Sequence, residues 1–245
     1  MGNLESLPPR RPPLAPRPEG LGVYEDMLAS GEGTVVVLDR YMQWQKDAVL
    51  LHTVTGVPVI QCLGYDTWNK KKVILDHEGN RLFRIDSAPM LSGGTKYFGV
   101  DTSENELFCL YSKGALTPGY AVEFVDHFTG VNRKIDVEGN YTKNVITLSS
   151  RGAPIGRIVR SWMRMEMGYG PGTYWLEVAE GVDIALLAAI SICLDEMAKA
   201  SKFNGRNQSV VNNNNNFAFQ MAMNAGPAGL GPGGVPGGNA AGGMF

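Results

Sequence analysis

The first group that could carry chemistry is the N-terminal glycine, in the sequence MGNLES. Gly2 and Ser6 fit the pattern M-G-x-x-x-[ST], which directs N-myristoylation once Met1 has been removed. A single myristoyl chain gives only marginal, reversible membrane binding, so stable attachment needs a second signal. We therefore predict lipidation at Gly2, and a cytoplasmic protein held peripheral to the plasma membrane by that acyl group.

A basic patch beside an aromatic residue is a candidate for the second signal. Trp68 is followed by Lys70, Lys71 and Lys72, just before a predicted β-strand. An aromatic ring beside three cations suits the headgroup region of an anionic membrane. The alternative is a solvated turn whose lysines protect a strand edge from pairing with another chain. The patch predicts anionic phospholipid headgroups as partners, and the solvated turn stays open.

A proline-rich stretch supplies a candidate site for a protein partner. Arg10, Pro13 and Pro16 have the spacing +xxPxxP, in which the prolines recur every three residues. Three residues per turn is the period of a polyproline II helix, the conformation in which Src-homology-3 domains bind their ligands. A stiff, solvated linker has the same composition. The stretch is therefore either a ligand for a Src-homology-3 domain or a spacer.

Motifs of several common enzyme classes are not found in the sequence. There is no G-x-S-x-G elbow, no phosphate-binding G-x-x-x-x-G-K-[ST] loop and no H-E-x-x-H zinc site. The three histidines are far apart, and the three cysteines lack metal-binding spacing. A net charge of −2 gives no reason to expect a nucleic-acid partner. We therefore predict a protein that is not an enzyme and that needs neither a metal nor a cofactor.

The composition divides the chain into three parts. Residues 1–20 are rich in proline, and no residue from Asn207 to Phe245 is charged. Segments of this kind bury too little apolar surface to offset the entropy lost when they become ordered. We predict a disordered arm over residues 1–20, one folded domain over 21–203 and a disordered tail over 204–245, in a monomeric protein.

The central part of the sequence contains about a dozen short β-prone segments separated by turns, and one helix. Strands of this length and spacing predict an antiparallel barrel or sandwich. In the helical segment, residues 184–194, ten of the eleven residues are apolar. It has no polar face, yet it is shorter than the roughly 20 residues that a membrane-spanning helix needs. The sequence favours a closed barrel around this helix; packing between the two sheets of a sandwich is the alternative.

The order of these segments resembles the LURP-one-related family. The resemblance is carried by a strand, the turn DHEGN and a second strand, then by KYFGVD, TYWLEV and the closing GVDIALLAAISICLDEM. This family is grouped in the tubby C-terminal-like superfamily with the phospholipid scramblases. The resemblance covers about residues 33–200. It implies a mainly β fold, a twelve-stranded antiparallel barrel that encloses a hydrophobic C-terminal α-helix.

The resemblance also bears on function. The family has no established catalytic residues; members are linked to defence signalling, and relatives in the superfamily bind phosphoinositides or move lipids. This sequence lacks the cysteine-rich palmitoylation cluster and the spanning helix of the scramblases. The leading hypothesis is a non-enzymatic, membrane-peripheral adaptor or lipid-binding protein in signalling or stress response. The alternatives are a scramblase-like lipid transporter and a soluble regulatory protein without lipid contact.

Overall fold

The dominant feature of the protein is one antiparallel sheet of twelve strands. The computed structural model describes residues 12–31, 34–39, 49–53, 55–66, 71–90, 95–113, 119–139, 145–159 and 174–197. Its strands are β1 (Thr34–Asp39), β2 (Val49–Thr53), β3 (Pro58–Asp66), β4 (Lys71–Asp76), β5 (Arg81–Pro89), β6 (Thr95–Val100), β7 (Glu106–Ser112), β8 (Tyr120–Val125), β9 (Asn132–Gly139), β10 (Val145–Ser150), β11 (Ala153–Val159) and β12 (Tyr174–Val178). A short 3-10 helix, Glu25–Met27, precedes β1, and the helix α1, residues 184–197, follows β12.

The sheet closes on itself. Each strand pairs with its neighbours in sequence, and β1 pairs both with β2 and with β12. Successive side chains of a strand point to opposite faces of the sheet. In β5, for example, Phe83 and Ile85 are buried inside, whereas Arg84 between them forms ion pairs with Asp86 and Glu104. The predicted antiparallel barrel is confirmed, and the sandwich alternative is wrong.

The helix α1 fills the barrel. From Val182 to Leu194 no residue is more than 7 % exposed. Ser191, the polar residue of the apolar run, donates its hydroxyl to the carbonyl oxygen of Leu187 at 2.8 Å, so it adds no unpaired group. A Cβ atom at Gly156 of β11 would lie 2.6 Å from Leu187 Cδ1, so any larger residue there would force Leu187 to shift where the wall approaches the helix. Within the described residues, no helix is both long enough and apolar enough to cross a bilayer.

The two ends of the barrel are built differently. At the end where α1 begins, short turns join successive strands and include residues 77–80, 101–105, 126–131 and 151–152. We call this the turn end. At the opposite end, which we call the far end, α1 reaches residue 197, and every connection between strands includes residues outside the described part of the chain.

An N-terminal segment, residues 12–31, covers the turn end. Leu14 and Leu21 are buried in the same apolar cluster as α1. The backbone of Leu21 forms a parallel bridge with Val182, and its carbonyl oxygen accepts the N–H of Asp183 at 2.9 Å. The segment therefore packs directly on the start of the helix.

This packing corrects the predicted disordered arm over residues 1–20. Residues 12–20 lie against the barrel, while residues 1–11 and the predicted tail over 204–245 fall outside the described residues. The prediction was wrong for residues 12–20 because it considered only local apolar content. One buried side chain, Leu14, and hydrogen bonds to distant carbonyl groups order this stretch.

Asp183 is the polar link between the covering segment and α1. Its Oδ2 accepts the N–H groups of Val23 and Tyr24, each at 2.9 Å. Its Oδ1 accepts the N–H of Leu186 at 3.1 Å, as a helix N-cap does. Burial raises the pKa of Asp183 to about 6, although these hydrogen bonds oppose the shift. One buried carboxylate therefore satisfies donors of both the segment and the first turn of the helix.

We predict that Leu187→Asp lowers the free energy of unfolding by roughly 3–5 kcal/mol, because it places an unpaired carboxylate in the apolar interior. Leu187 is 0 % exposed, whereas Leu63 in β3 is 43 % exposed. Leu63→Asp is therefore the matched control, with an expected change of about 1 kcal/mol or less. Urea denaturation measures the free energy of unfolding of both variants. Equally small effects of the two substitutions would contradict an enclosed helix.

Candidate functional site

Lysines collect at the far end of the barrel. Lys71 begins β4, Lys96 is the second residue of β6, and Lys113 directly follows β7. Neighbouring antiparallel strands run in opposite directions, so the starts of β4 and β6 meet the end of β7 at one rim. Lys96 Nζ lies 5.8 Å from the ring centroid of Phe98, and Lys113 Nζ lies 2.7 Å from Asp136 Oδ1. The rim thus carries cations whose side chains are partly packed against the sheet.

A fourth lysine, Lys72, points into the barrel. Its Nζ lies 3.7 Å from Glu196 Oε1, near the end of α1. The Lys72 side chain is only 8 % exposed and that of Glu196 is 20 % exposed. Burial of a charge is costly unless the charge is paired, and this ion pair provides the pairing. The contact therefore joins β4 to the last described turn of the helix.

The groups around this ion pair are poor candidates for acid–base or nucleophilic chemistry. Burial raises the pKa of Tyr97 to about 12, and the nearby Cys193 and Glu196 add to the shift. Burial also raises the pKa of the Cys193 thiol far above its ordinary value, with Cys62 as the next cause. A thiol attacks as its thiolate, which is disfavoured here. Nor do the described residues contain a group of three metal-ligating side chains.

The structure separates the residues that the sequence placed in one headgroup site. Lys71 is partly exposed on the outer face of β4, whereas Lys72 is buried inside. The prediction of an outward-facing patch is therefore wrong for Lys72, because adjacent residues of a strand point to opposite faces. Trp68 and Lys70 lie outside the described residues, so their part in headgroup binding stays a prediction.

The other predicted sites fall at or before the N-terminal segment. Gly2 and Arg10 lie outside the described residues, so lipidation at Gly2 also stays a prediction. Pro13 and Pro16 are exposed, and Ala15, which lies between them in the sequence, donates its N–H to the carbonyl oxygen of Pro154 at the turn end. The polyproline stretch and the lysine rim therefore lie at opposite ends of the barrel.

Sequence analysis missed the contact between Lys72 and Glu196. Three apolar residues in a row, Val73, Ile74 and Leu75, follow the lysines in β4. A strand with such a run shows no alternation, and without alternation the inward-facing lysine could not be identified.

We predict that Lys72→Met and Glu196→Gln each lower the free energy of unfolding by roughly 1–3 kcal/mol, and that the double variant loses less than the sum. Each single change removes the ion pair and leaves the remaining charge less well compensated in a poorly hydrated place. Lys71→Met is the matched control and should change stability little, since Lys71 faces outward. Chemical denaturation of the four variants tests this. Additive losses, or equal losses for Lys71→Met and Lys72→Met, would contradict the ion pair.

Comparisons with known proteins agree with this architecture. The sequence profile of the LURP-one-related family matches residues 34–195, from the start of β1 to near the end of α1. A crystal structure of a protein from Arabidopsis thaliana is similar, with a TM-score of 0.50 and 15 % sequence identity, over 72 % of this chain and 98 % of that chain. At this identity the likeness concerns the fold alone. No curated protein sequence gives a significant match. The profile match covers most of the chain, which therefore belongs to the LURP-one-related family, as its sequence pattern indicated.

Proposed function

We propose that the protein is a non-enzymatic, membrane-peripheral lipid-binding protein with an adaptor role in signalling or stress response. In this proposal the far end of the barrel faces an anionic membrane surface. The observation that carries it is the excess of basic over acidic residues in the sequences that connect strands at the far end, in contrast to the hydrogen-bonded carboxylates in the turns of the turn end.

Aspartate carboxylates at the turn end accept hydrogen bonds from the turns that follow them. Asp76, Asp101 and Asp126 stand at the ends of β4, β6 and β8. Asp76 Oδ1 accepts the N–H of Asn80, and Asp101 Oδ1 accepts that of Asn105, each at 2.8 Å. Side-chain hydrogen bonds from the same two asparagines are the main cause that lowers the pKa of Asp76 and of Asp101. Asp76 and Asp101 therefore stay ionised near neutral pH and would be repelled by an anionic surface.

The sequences that connect strands at the far end have the opposite character. They are residues 40–48, 67–70, 91–94, 114–118, 140–144 and 160–173, all outside the described part of the chain. Their basic residues outnumber their acidic ones, six to two. The basic residues are Arg40, Lys46, Lys70, Lys143, Arg160 and Arg164; the acidic residues are Asp47 and Glu166. Three of the four tryptophans also belong to them, Trp44, Trp68 and Trp162. Basic and indole side chains together suit an anionic membrane interface.

An acyl group at Gly2 fits this orientation only if residues 2–12 are long enough to reach from the turn end to the membrane at the far end. Pro12 lies at the turn end, and the ten residues from Gly2 to Pro12 span at most about 35 Å. Tilted strands of five to nine residues give a barrel roughly 20 Å tall. The N-terminus can therefore reach the membrane at the far end if the chain runs along the barrel wall.

The proposal predicts a graded loss of membrane binding. Acylated wild-type protein should sediment with phosphatidylcholine vesicles that contain phosphatidylserine, and Gly2→Ala should leave most protein in solution because the acyl anchor is lost. Replacing Lys70 and Lys71 by glutamine should release a part of the protein, at about 1 kcal/mol per lysine. Raised salt should reproduce the lysine effect and not the glycine effect, since only electrostatic attraction is screened.

Arg81→Gln is the matched control, because it removes an exposed cation at the turn end. It should leave vesicle binding unchanged. Mass spectrometry of the native N-terminus establishes whether Gly2 is acylated. Wild type that stays in solution with these vesicles, or an equal effect of Arg81→Gln and Lys71→Gln, would contradict the proposal and favour a soluble regulatory protein.

A further inference from the structure

The exposure of the N-terminal segment repeats every three residues. Pro13 and Pro16 are exposed, whereas Leu14 is buried. Arg17, three residues after Leu14, is partly buried. A turn in which Gly20 donates its N–H to the carbonyl oxygen of Arg17 at 2.9 Å ends the extended stretch. A period of three is that of a polyproline II helix, which has three edges. One edge of the segment therefore faces the barrel and the other two face away.

Side chains of the inner edge hold the segment in place. Leu14 packs into the main apolar cluster. Arg17 donates from Nη2 to the carbonyl oxygen of Ser150 at 3.0 Å. Gly20 packs against the ring of Phe128, so closely that an added Cβ would lie 2.7 Å from Phe128 Cδ1.

The backbone of the segment is anchored in the same way. A polyproline II helix makes no internal hydrogen bonds, so its N–H groups need outside acceptors. Ala15 donates its N–H to the carbonyl oxygen of Pro154 at 2.7 Å, and Arg17 donates to that of Glu180 at 2.8 Å. Pro16 has no N–H to satisfy. The barrel thus orders this stretch without using the outer face of its prolines.

We propose that the barrel displays residues 12–17 as a preordered polyproline II ligand for a Src-homology-3 domain. Such a domain has an aromatic-lined groove that receives two edges of the ligand helix and leaves the third pointing away. The edge of Pro13 and Pro16, together with the edge of Pro12 and Ala15, is presented to the groove. The third edge, with Leu14 and Arg17, is the one that the barrel already holds. In the sequence, Arg10 stands three residues before Pro13, where the ligand pattern places its cation.

Preordering has a measurable consequence for affinity. A free peptide loses conformational entropy when it binds, whereas a segment that the barrel has already ordered loses less. The intact protein should therefore bind the domain more tightly than the isolated peptide does. If the segment had to leave the barrel before binding, the order of affinities would be reversed. This inference is independent of the proposed membrane function, and its test involves no lipid.

The experiment compares full-length protein with a peptide of residues 6–20. A panel of purified Src-homology-3 domains is titrated with each, and the tightest binder is kept. We expect the intact protein to bind roughly three- to tenfold more tightly than the peptide. Leu14→Ala should bring the intact protein to the affinity of the peptide and leave binding of the peptide itself unchanged. Replacing Pro13 and Pro16 by alanine should abolish binding in both forms.

Pro18→Ala is the matched control, since it changes an exposed proline outside the PxxP pair and should alter affinity less than about twofold. Thermal unfolding of each variant confirms that the barrel is intact. The inference is overturned if no domain in the panel binds the intact protein. It is also overturned if the peptide binds more tightly than the protein, or if Leu14→Ala strengthens binding of the intact protein.

Discussion

An α-helix that is apolar on every side must exchange water for protein contacts along its whole length, and α1 does so inside the closed sheet. Burial on this scale is favourable for the side chains, but the first backbone N–H groups of a helix have no partners within the helix. Asp183 supplies an acceptor for Leu186 and, with its other oxygen, for Val23 and Tyr24. The same carboxylate therefore caps the helix and binds the segment that covers it, so the enclosure of α1 requires an N-terminal cover at that end.

This constraint assigns different roles to the two ends of the barrel. The turn end carries short turns, acidic side chains that accept turn N–H groups, and the covering segment. The far end carries the lysine rim and the ion pair of Lys72 with Glu196, which holds the end of α1 to β4. Since the interior is occupied by a helix, the proposed binding surfaces lie on the outside. They are the far-end rim for an anionic membrane and the proline edge of the covering segment for a protein.

The architecture could be predicted from the sequence because its signals are local and repeated. Short β-prone segments between turns predict antiparallel strands, and a helix without a polar face predicts enclosure. The covering segment could not be predicted, since Leu14 is its single buried apolar side chain before Leu21. The backbone acceptors of Ala15 and Arg17 are more than a hundred residues away in sequence. The position of Lys72 could not be predicted either. Val73, Ile74 and Leu75 are all apolar, so β4 does not reveal which of its faces is internal.

Backbone hydrogen exchange in wild type and in Asp183→Asn tests most directly whether one buried carboxylate joins the cover to the helix. The account predicts slow exchange of the Val23 and Tyr24 amides in the wild type, comparable with barrel strands. Asparagine keeps one oxygen, which can still cap the helix at Leu186, and directs its NH₂ group at the N–H groups of Val23 and Tyr24. Exchange of these two amides should therefore become much faster, while β5 amides stay protected. Fast exchange of Val23 and Tyr24 in the wild type, or unchanged protection in the variant, would contradict it.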